Sequence, residues 1–549
     1  MGAPLDSLNV PSHDASGWVL PRRRDVTAVN LDALIVREDF EIVGAGDEIP
    51  EKPSIGIREL ERGEFFSAGL RKPDFQRETS EWEPRRVVGL IRSFVQDQLI
   101  PSVILWKNKD LLFVIDGSHR LSALIAWVQD DYGHGAKSQE FFGPSIQEDQ
   151  LKIAEKTREL VAKEVGSYAD HRAAVSKPEL YSPEISAQAK RLSTLTLKLQ
   201  WVRGDASKAE DSFARINQQA ATITPQELEL IRDRRKPTAI AARAIIHRGS
   251  GHQYWQKFSS SKQEDIKELA SDLHRLIFEP TLRYPIKSLN LPLGGATSAA
   301  TALRMVYDLI GLSVDMTDRH DDTDGSRTIS HLIRMRRIVR MMLSNDPSSL
   351  GLHPAVYFYS WTGKQIPSML LSTTTLLIEI ERRGKLTDFI DCRHEFENFL
   401  VVNRSLQNQI VRKYGSSTSG RKHLLDFYKD VLRLLDAGVP SSEIVGKLQA
   451  GNHSYLQPEE SPYEGVAPTR FSTQVKSGVI VQELLKSAPR CPICQGFLPA
   501  QAMSIDHRER KEDGGLSIDG NAQLTHPYCN TGYKEAKLAK RRKMERELL

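Results

Sequence analysis

The residues best suited to chemistry lie near the end of the chain, in CPICQGFLPAQAMSIDHRERKEDGGLSIDGNAQLTHPYCNTGYK, residues 491–534. Two sets interleave there. The first is Cys491-x-x-Cys494 followed by His526-x-x-Cys529. Ligands three residues apart fit a tight turn that aims both side chains at one ion, and the second pair completes a tetrahedron. Three thiolates and one imidazole form a closed, structural zinc set with no position left for water. The segment has few large apolar residues, so a metal staple is what lets it fold. A lone Cys-x-x-Cys also reads as a redox pair. The matching His-x-x-Cys and the lack of thioredoxin-like surroundings favour zinc.

The second set is Asp506, His507, Asn521 and Asn530. Asp506 and Asn530 offer hard oxygen ligands, which suit Mg²⁺ or Mn²⁺. Neighbouring side chains on an extended segment point to opposite faces, so Asp506 can hold a metal while His507 faces a water. A neutral imidazole near pH 7 is a natural general base for that water. The metal would stabilise charge building on a phosphate and its leaving oxygen. Asn521 can orient the imidazole by a hydrogen bond.

This stretch resembles the HNH, or ββα-metal, nuclease family through S-I-D-H, G-G, G-N-A-Q-L-T-H-P-Y-C-N and Lys534. The resemblance implies metal binding by Asp506 and Asn530, general-base action by His507, and positioning by Asn521. The zinc set is a common accessory that holds the hairpin against the helix. His526 stands where many relatives have cysteine, an equally good ligand. All four polar positions are intact, which argues against a catalytically dead fold kept for DNA binding.

The rest of the chain must position these groups. At 549 residues it is too long for one core. Apolar content of 40% and charged content of 27% are those of an ordinary soluble protein. A net charge of +4 means that any DNA-binding surface is local. Four cysteines, three in the zinc set and Cys392 alone, exclude a disulfide framework and favour a reducing, cytoplasmic compartment. No leader pattern, membrane-spanning run or internal repeat is visible.

Residues 1–50 read as an N-terminal arm, in which Arg22-Arg23-Arg24 is a solvated cluster or a phosphate contact. From Ser54 a strand and short turn are expected, then an amphipathic helix over 83–97 with Val87, Leu90, Ile91 and Phe94 on one face. Strands follow at SVILW and 111–115, with a turn at Asp116-Gly117 and a helix from Ser118. A glycine turn feeding a helix N-terminus offers free N–H groups to a phosphate. Arg120 can reach the same anion, and so can Arg77, one residue after Gln76. Alternation predicts a strand over 191–202. In 211–231, Phe213 begins an apolar helix face, Arg215 and Asn217 lie beyond it, and Thr224-Pro225 starts a further helix.

P-D-F-Q-R, I-D-G-x-x-R-L and F-x-R-I-N…T-P-Q-E-L, in this order, resemble the ParB/sulfiredoxin-like domain of GmrSD-type restriction proteins, over residues 51–235. The resemblance implies a module sensing a nucleoside triphosphate or a DNA feature. Its pocket would be formed by Gln76, Arg77, Asp116, Gly117, Ser118, His119, Arg120, Arg215 and Asn217. Ser118-His119 replaces the two glutamines, or glutamine and histidine, frequent in relatives. That bears on triphosphate hydrolysis more than on binding. Sulfiredoxin chemistry is excluded, because no cysteine lies beside the loop. The same residues could instead brace the fold, with Asp116 capping its helix and Arg215 paired with an acid.

Residues 236–451 carry helical apolar spacing. HPAVYFYSWTGKQ (353–365) is either a base-stacking platform or a buried corner. Arg334, Arg336, Arg337 and Arg340 are a solvated face or a phosphate track. Residues 452–470 form a linker. Residues 471–549 form the nuclease module, ending in a basic helix from Lys534 with seven Lys or Arg against three Glu.

The expected fold class is thus multidomain α+β. It comprises a ParB/sulfiredoxin-like α+β domain, a mostly helical middle, and a small zinc-stapled ββα-metal domain. The expected function is metal-dependent cleavage of DNA, phage or modified, in a restriction or antiphage system. One HNH site cuts one strand, so a double-strand break needs two engagements or a homodimer. The alternative is a non-catalytic ParB-like DNA-binding regulator with a zinc-stabilised clamp. RNA as the substrate is a third reading, for which no RNA-binding module is recognisable.

Overall fold

The run Leu111–Asp116 is a strand with no polar face, and the structure, a computed structural model, accounts for it. Leu112 and Val114 enter one buried cluster while Phe113 and Ile115 enter another, so both faces are covered. The structure describes residues 28–38, 50–73, 76, 82–142, 146, 148–220, 229–230, 232–250, 254–296, 299–314, 320–416, 418–457 and 471–537. Arg22–Arg24, Arg77, the helix start at Thr224, most of the linker and the end of the basic helix lie outside these residues.

The first unit holds β1 (Val36–Glu38), β2 (Ser54–Gly56), β3 (Leu70–Pro73), β4 (Val103–Asn108), β5 (Leu111–Asp116) and β6 (Thr196–Val202). They form one mixed six-stranded sheet in the order β1-β3-β5-β4-β6-β2. β1, β3 and β5 run parallel, β4 is antiparallel to β5 and parallel to β6, and β2 is antiparallel to β6. On one face lies the Pro84–Val95 helix, which starts at a proline suited to the first turn and buries Val87, Val88, Ile91, Phe94 and Val95. Leu90 is only partly buried there. Ser118–Gln129 packs on the same face, and Ala206–Ala220 covers the other through Ala209 and Phe213. The strand expected over 191–202 is shorter. Arg191 and Leu192 close the Pro183–Leu192 helix, and the extended chain begins only at Thr196.

The middle of the chain is mostly helical. The Pro237–Ile246 helix is buried on nearly every side, and its alanines admit the Ser260–Phe278, Ala299–Ser313 and Ser326–Met342 helices around it. The 353–365 segment is a buried corner: Tyr357, Phe358 and Tyr359 are all within the core. Of Arg334, Arg336, Arg337 and Arg340 on the Ser326–Met342 helix, three are paired internally. Arg337 meets Glu381 at 2.6 Å, Arg340 meets Asp272 at 2.8 Å, and Arg336 approaches Asp272 at 3.9 Å. No helix among the described residues is long and apolar enough to cross a membrane.

One cluster of buried apolar residues begins at Leu230, takes in these helices, and continues through Cys491, Phe497, Leu498, Cys529 and Tyr533. The C-terminal segment therefore closes its core against helical residues. Its own regular structure is small: β7 (Ser504–His507) pairs antiparallel with β8 (Ala522–Thr525), followed by a helical turn at Cys529–Tyr533 that continues as helix to residue 537.

Candidate metal centre and active site

Cys491 and Cys494 bracket a tight turn. The Cys491 N–H donates to the Gly496 carbonyl at 2.9 Å, and the Gln495 N–H donates to the Cys491 carbonyl at 2.7 Å. Gln495 takes the left-handed conformation, with φ 56°. His526 and Cys529 follow β8 directly. The ligand atoms of Cys491, Cys494, His526 and Cys529 lie within 4.8 Å of one another, and all four residues are buried. His526 Nε2 lies 2.9 Å from the Phe497 carbonyl. That bond fixes the tautomer and leaves Nδ1 facing the thiols, 3.3 Å from Cys494 Sγ and 3.8 Å from Cys529 Sγ. Hydrogen bonds from Cys494 and Cys529 drive Cys491 toward its thiolate, while their own thiols are pushed up by sharing with it. A bound cation would take the place of those shared protons. The cluster can hold a metal ion such as zinc, closed to water.

Asp506 and His507 lie side by side at the end of β7, so the pleat separates them. Asp506 is 6% exposed and His507 is partly exposed. Gln523 stands opposite Asp506 in β8 and donates to its carboxylate at 3.1 Å. Lys534 Nζ lies 2.9 and 2.8 Å from the two carboxylate oxygens and 3.3 Å from the His507 carbonyl. A buried carboxylate requires a positive partner, and the Lys534 ammonium stands in that place. Asn530, one helical turn before Lys534, donates to Ser504 Oγ at 2.8 Å and to the Ile505 carbonyl at 3.3 Å. Ser504 alternates with Asp506, so Asn530 borders the same face of β7.

His507 turns the other way. Its Nε2 meets Ser517 Oγ at 3.0 Å. Asn521 was expected to hold this ring, and it does something else. Its Oδ1 accepts from the Glu509 N–H at 2.8 Å, and its amide donates to the carbonyls of Glu509 at 3.0 Å and Leu516 at 2.8 Å. The loop between the two strands curls back over Asn521, so a side-chain amide there meets backbone first. Ser517, from that same loop, reaches the imidazole instead. Of these groups, Lys534 was visible as falling one turn beyond Asn530, and Gln523 only once the strand register was fixed.

In the first unit, Gly117 has φ +95° and precedes the Ser118–Gln129 helix with no side chain capping it. A Cβ at Gly117 would lie 2.9 Å from Val103 Cγ2 and 3.1 Å from Arg120 Nη2. Asp116 does not cap the helix. It accepts from Arg120 Nη2 at 2.7 Å, and the same nitrogen reaches the Ser102 carbonyl at 3.1 Å. Ser118 is buried. His119 stacks on Trp82 with ring centroids 5.5 Å apart. Burial, then the charges of Lys72 and Arg86, lower its pKa to about 4. His119 Nε2, Gln76 Oε1 and Arg120 Nε are buried polar atoms without a hydrogen-bond partner among the described residues.

A buried charge cluster that the sequence did not single out supports this corner. Asp32 accepts from Arg37 Nη2 and from Lys72 Nζ, each at 2.8 Å, and Arg37 also donates to the Gln76 carbonyl. Arg215 lies exposed on the Ala206–Ala220 helix, and its guanidinium reaches Ser212 Oγ at 3.4 Å, with no acid paired to it among the described residues. Asn217 is on the same helix, and its side chain lies outside the described residues.

Residues 60–232 match the family model described as "GmrSD restriction endonuclease, N-terminal domain". The matched segment lies within the 51–235 stretch whose motifs resemble that family, and it covers about a third of the chain. No curated protein and no solved structure matches the chain.

Proposed function

We propose that this chain, which shares a GmrSD-type N-terminal domain, is a metal-dependent DNA endonuclease of a restriction or antiphage system, and that its C-terminal segment is an HNH module. The observation that carries the reading is the β7–β8 register. It turns the buried Asp506 toward the helix bearing Asn530 and Lys534, and turns His507 to the opposite, accessible face.

In this reading Asp506 and Asn530 hold Mg²⁺ or Mn²⁺, which would stabilise charge on the phosphate and the departing oxygen. His507 takes the proton of the attacking water. Its Nε2 is engaged by Ser517, so Nδ1 is the ring nitrogen left for that proton. Asn521 keeps the inter-strand loop, and with it Ser517, in place. Zinc at Cys491, Cys494, His526 and Cys529 sets the fold of the module and stays out of the chemistry. The first unit senses a nucleotide or another phosphate at the open N-terminus of the Ser118–Gln129 helix. There Arg120 and His119, whose Nε2 has no partner among the described residues, would meet the phosphate, with Gln76 as a further polar group.

The experiment is nicking of supercoiled plasmid with Mg²⁺ or Mn²⁺, with and without nucleotides, on unmodified and on modified phage DNA. His507→Ala is expected to reduce nicking by about 10²- to 10⁴-fold while DNA binding persists. Cleavage by that variant at the wild-type rate overturns the assignment. Tight DNA binding without nicking under any condition favours a non-catalytic regulator.

A further inference from the structure

Arg393 and Glu397 form an ion pair with both side chains 0% exposed, on the Leu386–Val402 helix. Withdrawing two charges from water costs several kcal/mol per ion unless the remaining hydrogen-bonding capacity is filled. Here the partners that fill it lie around the metal cluster. Arg393 Nε donates to Glu397 Oε1 at 2.7 Å, Nη2 donates to the Gly351 carbonyl at 2.8 Å, and Nη1 donates to the Leu350 carbonyl and lies 3.4 Å from His526 Nδ1. Glu397 Oε2 accepts from the Phe497 N–H at 2.7 Å. Phe497 is also the residue whose carbonyl holds His526 Nε2. A continuous path therefore runs from a helix in the middle of the chain, through the backbone N–H and carbonyl of Phe497, to the imidazole of the candidate metal cluster.

Two glycines mark how close the approach is. A Cβ on Gly496 would lie 2.6 Å from Arg393 Nε, and one on Gly351 would lie 2.6 Å from His526 Cδ2. Charge points the same way. With zinc bound, three thiolates and a neutral imidazole leave one net negative charge on the centre, and the Arg393 guanidinium lies against it.

We propose that Arg393 and Glu397 are positioning residues of the zinc centre, so that the helical middle supplies its outer shell and the metal clamps the C-terminal module onto the helical body. This rests on zinc as the occupant of the four-residue cluster and is independent of the nuclease reading. The clamp gives the helical middle a role that no motif in it announces. It makes the zinc a contact between units as well as a staple within one.

The test uses the full chain loaded with zinc and two readouts that involve no DNA. The first is the rate of zinc transfer to a chromophoric chelator. Glu397→Gln and Arg393→Lys are expected to bind one zinc and release it about 10- to 100-fold faster than wild type, as loss of outer-shell partners does elsewhere. Tyr357→Phe removes only the 3.0 Å hydrogen bond from Tyr357 to Glu397, and is expected to give a smaller acceleration in the same direction. The second readout is hydrogen exchange of the wild-type protein before and after chelation, which stands even if the charge variants fail to fold. Removing zinc is expected to raise exchange in Leu386–Val402 together with 491–529. Release at the wild-type rate in Glu397→Gln, or exchange changes confined to 491–529, overturns the proposal.

Discussion

Lys534→Met tests whether the Asp506 carboxylate is a cation site. The ammonium makes two short contacts to that carboxylate, and any divalent ion bound there must displace it. A hydrogen bond to a charged group contributes about 1.5–3 kcal/mol net. The Lys534 side chain is 23% exposed, so water screens part of the pair, and the two contacts together are better counted as one such interaction. Removing the competitor should therefore tighten divalent binding by about 1.5–3 kcal/mol, roughly 10- to 150-fold in Kd. Methionine keeps much of the length and apolar stem that pack beside β7. The assay is Mn²⁺ titration followed by electron paramagnetic resonance, without DNA, in a His507→Ala background. Asp506→Asn should abolish the binding, and adding Lys534→Met to it should change nothing, which closes a double-mutant cycle on the pair. Unchanged or weaker Mn²⁺ binding in Lys534→Met refutes the idea that the lysine stands where the metal would.

Three further outcomes are expected from the first unit and its neighbours. Gly117→Ala forces a left-handed backbone on a residue with a Cβ and presses on Val103 and Arg120, so it should cost about 1–3 kcal/mol and weaken nucleotide or phosphate binding, read by thermal unfolding and calorimetry. Burial pushes the Asp32 carboxyl up, but Arg37 and Lys72 more than offset this and hold it well below the usual range. Its contribution is therefore present above about pH 4 and lost as pH falls, and Asp32→Ala should destabilise by about 3–5 kcal/mol at pH 7, by denaturant titration. Burial lowers both His119 and His274 to about 4, below the unfolded value. The unfolded chain then binds more protons between about pH 6.5 and 4, and stability should fall through that window by at most about 3 kcal/mol per histidine. A flat stability profile over this range contradicts their buried, neutral state.

Part of this molecule is legible in its sequence because the physics is local. Residues 111–115 read as a strand, and Val87, Leu90, Ile91 and Phe94 read as one face of an amphipathic helix over 83–97, because period is a property of a few adjacent residues. The spacing of Cys491, Cys494, His526 and Cys529 is legible for the same reason. The partner of Asn521 is not, because it depends on how residues 508–520 curl, and nothing in Asn521 itself distinguishes an imidazole from a peptide. The alternation of Arg191–Leu195 imitates a strand, yet a helix ends there. Arg393 and Glu397 show the limit most plainly. Nothing adjacent to them in the chain distinguishes a buried i, i+4 pair from a solvent-exposed one of small value. They are fully buried because a segment about a hundred residues later in the chain closes over them. The arginines at 336, 337 and 340 left a solvated face and a phosphate track both open for a related reason: Asp272 and Glu381, which meet them, come from other helices.

In the proposed nuclease, the order of residues around β8 would let a metal remote from the chemistry still govern it. His526 follows the last residue of β8, and Cys529 immediately precedes Asn530. A zinc held by both would fix where the strand stops and where the next helical turn starts. Asn530 and Lys534, one turn apart, then approach β7 from a set direction. The hairpin register fixes the other half, since His507 opposite Ala522 and Asp506 opposite Gln523 decide which side chain faces the helix. A slip of one residue would exchange Asp506 and His507 between faces and take the carboxylate away from Asn530 and Lys534. Two strands of four residues specify such a register weakly by themselves. Zinc at the four-residue cluster, with Arg393 and Glu397 of the Leu386–Val402 helix around it, would supply the missing constraint; in the proposed nuclease that would be the physical reason for interleaving a metal-binding pattern with the Asp506, His507 and Asn530 set in so short a stretch of chain.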